Sequence, residues 1–247
     1  MKTTLRWILS SGLVLISGLA GLDRSAVAAS ETSPAITIRT RNYAGVAPNI
    51  LTDAEEVATG IFRSAGIETR WADVVLTAEK SLEKSAVRPA RTPVDFQVSI
   101  FPRVMSDRLN IPDNVMGLAP GSGPDRTIIY IFDRNVEARF WRLLSACGSG
   151  RIGRQVSKAQ ILGHAIAHEV GHLLLNQQGH SAYGIMRGVW SFADFLEMTR
   201  GMLLFTPQQR ELLRADVRRR NAQQEIENAV GVEAAERAGY NRPKEPL

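Results

Sequence analysis

A single cysteine, Cys147, in 247 residues rules out an intramolecular disulfide, so stability has to come from packing, with help from a metal if one is bound. Cys147 itself reads as small apolar filler. Past the first thirty residues no apolar run is long enough to cross a bilayer. The N-terminal run WILSSGLVLISGLAGL follows Lys2 and Arg6, is shorter than the ~20 apolar residues of a spanning helix and is broken by Ser and Gly. Ala26, Ala28 and Ala29 then offer an A-x-A-like cleavage site. Residues 1–29 are therefore expected to be a signal peptide, and the protein to be exported to the periplasm or secreted, with no stable membrane insertion after cleavage. The chain also lacks a strong charge bias. Taking away Lys2, Arg6, Asp23 and Arg24 lowers the formal charge from +5 to +3, and the arginines of RADVRRRN read as a solvated helix face, so nucleic-acid binding is not implied. There is no internal repeat.

What is present reads as one domain over 30–221. AITIRTRNY and DFQVSIFPR alternate as half-buried strands, and TIIYIFDR is a continuous apolar run suited to a strand covered on both faces. In GIETRWADVVL, Ile67, Thr69 and Trp71 share a face, and the stretch from there to Pro93 is polar enough to be a loop. MGLAPGSGPDR is restricted by its Gly and Pro content to a loop or a short edge strand. Thr52 and Glu55 form a capping-box pattern before an apolar helical repeat that ends at Gly66. Asn135 is placed to cap a second helix, with Val136, Phe140, Leu143, Leu144 and Cys147 inward and Gly148 at its end. Ser157 with Gln160, and Thr206-Pro207 with Gln209, open two further helices. The polar tail 222–247 is expected to be frayed or disordered. The fold class is thus α/β (α+β), a twisted mixed sheet with helices packed on it, followed by a mainly helical C-terminal part.

The chain has four histidines, and all of them, His164, His168, His172 and His180, fall in one seventeen-residue window. His168 and His172 are four residues apart on a helix, about 40° round its axis, so two imidazoles can meet at one point with Glu169 beside it. Ile166, Val170, Leu173 and Leu174 take the opposite side. A catalytic zinc (Zn2+) uses three protein ligands and keeps a place for water, whose proton a neighbouring carboxylate can take. His168 and His172 as ligands and Glu169 as general base meet that need. His164, one turn earlier, reads as a packed or supporting histidine.

HEVGHLLLNQQGH and the following SAYGIM resemble the active-site helix and methionine-containing turn of the zincin metallopeptidases, and of the metzincin clan in particular. GHAIAHEVGHLLL to GIMRGVW is also similar to uncharacterised exported bacterial proteins described as metalloproteases. The resemblance implies a zincin-like fold, His168, His172 and His180 as metal ligands, Glu169 as base, and Met186 as the methionine beneath the metal. Ser181 after the third histidine resembles the matrixins. The chain departs from the pattern where Leu175 takes the place of the turn glycine and His180 arrives two residues late. Gly179 is the candidate for the return of the chain, after an extra half-turn of helix or a wider loop. Gly188 stands where some metzincins have a tyrosine, with Tyr183 a candidate substitute. A second ligand scheme resembles the gluzincins and uses Glu197, on a later helix with Asp194 one turn before it. The expected function is an exported zinc metalloendopeptidase acting on peptide or protein substrates, with the edge near Met116 to Pro120 pairing with an extended substrate. The competing reading is a non-catalytic, zinc-stabilised binding module on the same scaffold. Oligomeric state is open.

Overall fold

The structure, a computed structural model, describes residues 33–73, 94–121, 126–147, 156–176 and 179–237. The expected signal peptide, the expected loop up to Pro93, the centre of the Gly/Pro-rich segment, Gly148, Gln177 and Gln178 lie outside the described residues.

Three strands run parallel at the centre, β1 (Ala35–Asn42), β3 (Asp95–Phe101) and β5 (Ile128–Phe132), with β2 (Glu68–Asp73) parallel on one side. The two-residue β4 (Gly117–Leu118) closes the other side antiparallel to β5, giving the order β2-β1-β3-β5-β4. The mixed sheet agrees with the class read from the sequence. Because parallel neighbours share a face, the register puts Ile36, Ile38, Phe96, Val98, Ile100, Ile129 and Ile131 on one side, all of them buried. On β5 only this face is fully covered, since Ile128 is exposed and Tyr130 half-buried, so the continuous apolar run does not mean burial on both sides.

The apolar face receives two helices, α1 (Pro48–Ser64) and α4 (Lys158–Leu175), which pack on each other. On β2, Trp71 Nε1–H and Thr69 Oγ1–H both donate to Thr59 Oγ1 of α1, at 2.8 and 3.0 Å. Helix α1 begins earlier than its Thr52–Glu55 pattern suggests. Pro48 starts the first turn behind Ala47, so Thr52 lies inside the helix and is exposed, and Glu55 accepts instead from Thr40 Oγ1. Helix α2 (Arg103–Arg108) follows β3, and α3 (Asp133–Cys147) follows β5 directly. Asn135 is in the first turn of α3 rather than before it. Its Nδ2 donates to the carbonyls of Pro112 and Val115, which ties down the loop leading into β4.

After α5 (Phe192–Thr199), α6 (Pro207–Arg237) starts with the reciprocal Thr206–Gln209 box. It continues well past Ala222, where the sequence suggested fraying. Of the arginines in RADVRRRN, Arg220 is buried. It pairs with Asp216 at 2.6 Å and donates from Nη2 to the Leu173 carbonyl at 2.7 Å, satisfying a carbonyl left free at the end of α4. Among the described residues no helix is long and apolar enough to cross a membrane.

The α1–α4 contact is closest at Gly163, where a Cβ would lie 2.5 Å from the Ala54 carbonyl oxygen and 2.8 Å from Val57 Cβ. Gly60 of α1 has open space at the same position. Gly163→Ala is expected to destabilise the domain by about 2–3 kcal/mol in urea denaturation. Gly60→Ala should be neutral or stabilising by up to about 1 kcal/mol.

Candidate metal centre and cleft

Helix α4 opens on the capping box expected from its sequence. Ser157 Oγ accepts the Gln160 N–H, and Gln160 Oε1 accepts the Ser157 N–H. From there to Leu175 the helix is buried almost throughout. It ends at Asn176, whose φ of 49° and ψ of 37° are left-handed and whose N–H donates to the His172 carbonyl. A left-handed step is thus made by an asparagine, one of the few residues with a side chain that tolerate this conformation, while the return read for QQG includes Gln177 and Gln178, outside the described residues. The helix ends directly after Leu175.

His168, His172 and His180 are brought together, each with a ring nitrogen within 4.8 Å of the others. The His168–His172 ring centroids are 4.6 Å apart, His172–His180 5.0 Å and His168–His180 5.4 Å. The Nε2 atoms of His168 and His172 are 3.0 Å apart. Two nitrogens on a tetrahedral zinc are separated by about 3.3 Å, so this pair is spaced to share an ion. His168 Nδ1–H donates to the Ile185 carbonyl at 2.8 Å, which leaves its Nε2 lone pair facing the other rings. Burial, with His172 and His180 close by, lowers the His168 pKa to about 4 and keeps it neutral, as a ligand must be. The donor set, three imidazoles with one tautomer fixed from behind, fits zinc.

The chain after His180 returns beneath the helix. Ser181 N–H donates to the Met186 carbonyl at 2.8 Å, Ile185 N–H to Leu204 at 3.0 Å, and Arg187 N–H closes a turn on Gly184. Met186 is buried under α4 at Gly171, where a Cβ would lie 2.7 Å from Met186 Sδ and 2.8 Å from Phe205 Cε1. Trp190 Nε1–H donates to the same Ile185 carbonyl, and its ring stands edge-on to those of His164 and His168. Gly188 has a function of its own. A Cβ there would fall 2.9 Å from Cγ of His180, so the ring occupies the space that a side chain would need. Tyr183, the candidate substitute for the missing tyrosine, is 77% exposed and does not line the cleft.

Glu169 is buried beside the histidines, with β4 across from it. A Cβ on Gly117 would meet its Cγ at 2.6 Å and its Oε1 at 2.7 Å, so this strand position accommodates only glycine while Glu169 is in place. Burial pushes the Glu169 pKa up to about 8, against a smaller opposing effect from a hydrogen bond with the Ala119 backbone. The three histidines and Glu169 line a cleft of about 520 Å³ that is walled by β4 on one side and by Arg139, Arg187 and the Gly188–Trp190 segment elsewhere. Glu197 is exposed on α5 and is not among the residues gathered at this point. Asp194 is a capping residue, bonded to Ser191 and to Arg187. The roles of Gly117, Trp190 and the Ile185 carbonyl were not read from the sequence. Gly171, a glycine inside an otherwise apolar helix, was the available signal for the close approach of Met186.

No protein-family model matches the chain, and no curated protein matches it. Among solved structures, the chain is similar to archaemetzincin from Methanopyrus kandleri, with 16% sequence identity over 77% of this chain and 99% of that chain, at a TM-score of 0.41. A likeness at that level leaves the site to be judged on its own geometry.

His164 is buried, and its Nδ1–H donates to the Gln160 carbonyl at 2.7 Å. Burial lowers its pKa to about 4, from an ordinary 6.5. The native state therefore resists protonation, so its contribution to stability is complete above pH 6.5 and is lost as the pH falls toward 4. His164→Gln is expected to take up as much zinc as the wild-type chain. It should also reduce the acid-induced loss of stability between pH 7 and 4 by about 3 kcal/mol, read from urea denaturation at the two pH values.

Proposed function

We propose that this chain is a zinc-dependent peptidase, in which His168, His172 and His180 hold the metal and Glu169 is the general base. The observation that carries the reading is the carboxylate of Glu169 facing the cleft beside three converging imidazoles, with Gly117 opposite it leaving the space it needs. A structural zinc site has no use for a buried acid next to it. Zinc bound there would supply an acidified water and polarise the scissile carbonyl.

Glu169 is neutral near pH 7 when burial alone acts on it, and a cation beside it favours the carboxylate. As a carboxylate it takes the proton of the attacking water and passes it to the leaving amine. His168 is kept in one orientation by the Ile185 carbonyl throughout. The short edge strand β4 borders the cleft and can add an extended peptide by main-chain hydrogen bonds, which suits peptide or unfolded protein substrates. With the N-terminal segment read as a signal peptide, the enzyme would act in the periplasm or outside the cell.

The purified protein is expected to carry about one zinc per chain. Glu169→Gln should retain that zinc while cleavage of an unfolded-protein or peptide library falls by about a hundredfold or more. A wild type that binds zinc stoichiometrically and cleaves nothing would favour the non-catalytic binding module. His180→Ala should lose zinc and Glu197→Ala should keep it, and the opposite pattern would overturn the assignment of the third ligand. Gly117→Ala, which drives a methyl group into Glu169, should keep zinc and lower kcat by about tenfold or more, measured on the same substrates.

A further inference from the structure

The cleft holds a positive charge that makes no ion pair among the described residues. Arg139 projects from α3 into the same cavity as Glu169, and among the described residues it makes no ion pair and no hydrogen bond to a side chain or carbonyl. Its guanidinium lies against an aromatic ring, with Cζ 5.8 Å from the centre of the Phe195 ring. Arg187, the other arginine of the cleft, is different. Its Nη1 lies 3.0 and 3.1 Å from the two carboxylate oxygens of Asp194, so its charge is already balanced. Glu169 is the only acid among the described lining residues. Partial burial lowers the Arg139 pKa, and the positive charge of Arg142 acts in the same direction.

A guanidinium taken partly out of water without an anion is costly, and its planar fork of N–H donors matches a carboxylate with two parallel hydrogen bonds. Its position is also defined relative to the proposed metal site. Phe195 is buried and packs edge-on to Trp190, with ring centroids 6.2 Å apart, and Trp190 packs edge-on to His168 at 5.8 Å. The cation is thus seated on an aromatic chain that leads to a proposed ligand, and it lines the cleft.

We propose that Arg139 is a specificity-determining residue which binds a carboxylate of the substrate, so that the cleft selects peptides with an acidic side chain, or a free C-terminus, close to the bond that is cut. The proposal rests on the peptidase reading for what carries the carboxylate.

The test measures binding rather than turnover, on zinc-loaded Glu169→Gln protein. The probes are fluorescein-labelled, alanine-rich octapeptides with amidated ends, in which Glu, Gln or Lys is moved along the chain, together with the all-alanine peptide carrying a free C-terminal carboxylate. At one position of Glu, or with the free C-terminus, binding is expected to be about tenfold tighter than for the Gln or amidated counterpart. A preference for internal Glu marks a side-chain carboxylate as the ligand, and a preference for the free terminus marks the chain end. Adding Arg139→Gln should abolish the difference, and Arg139→Glu should turn it toward the Lys peptides. Arg139→Lys, which keeps the charge and loses the fork, should retain part of the preference and serves where either of the other variants fails to fold by circular dichroism. Equal binding of all the peptides, or a preference unchanged in Arg139→Gln, overturns the proposal. A wild type that cleaves nothing, while binding to the Glu169→Gln protein still depends on Arg139, removes the peptidase reading and leaves the carboxylate site standing. Cleavage without any acidic preference does the reverse.

Discussion

The carbonyl oxygen of Ile185 accepts two N–H groups, one from His168 and one from Trp190, and its own residue's N–H is held by Leu204. Three separate stretches of chain therefore meet at one residue, Ile185: the helix α4, the turn that follows His180, and the segment entering α6. Without that acceptor the imidazole of His168 could rotate or take the other tautomer, and the alignment of its Nε2 with that of His172 would be lost. The turn in turn depends on Met186 being able to sit against the helix. That is possible only because residue 171 presents no side chain.

Clearance is the second theme of the site. At positions 117, 171 and 188 the missing Cβ is replaced by Glu169, by Met186 with Phe205, and by the ring of His180. In each case another group comes within 3.0 Å of where a Cβ would stand, so these glycines act through shape rather than through flexibility. Glycine at 188, where some metzincins have a tyrosine, thereby has a physical reason in this chain, because the ring of His180 lies over that position.

Much of this was legible in the residues. The Ser157–Gln160 and Thr206–Gln209 boxes are closed as their patterns imply, each at the first turn of its helix. The similar Thr52–Glu55 pattern misled, since Pro48 had already begun the helix, and a capping box has meaning only at a true first turn. Asn135 misled for a related reason. Its amide reaches across to the Pro112 and Val115 carbonyls, a tertiary contact that local spacing cannot reveal. The HExxH spacing was sufficient for His168 and His172 because helix geometry alone sets their separation. His180 needed the left-handed step at Asn176 and the whole path of the following turn, neither of which has a periodicity to read.

Helix α4 is buried along nearly its full length, locked to α1 at Gly163 and fastened at its end by Arg220. An element enclosed in this way has no cheap partial opening, so its amide protons can exchange only when the domain unfolds as a whole. Two of the three proposed ligands belong to this helix, and a ligand that binds only the native state stabilises whatever must unfold to release it. Metal affinity and global stability would then be one linked quantity. Stripping the ion would loosen the entire domain rather than a loop at the mouth of the cleft.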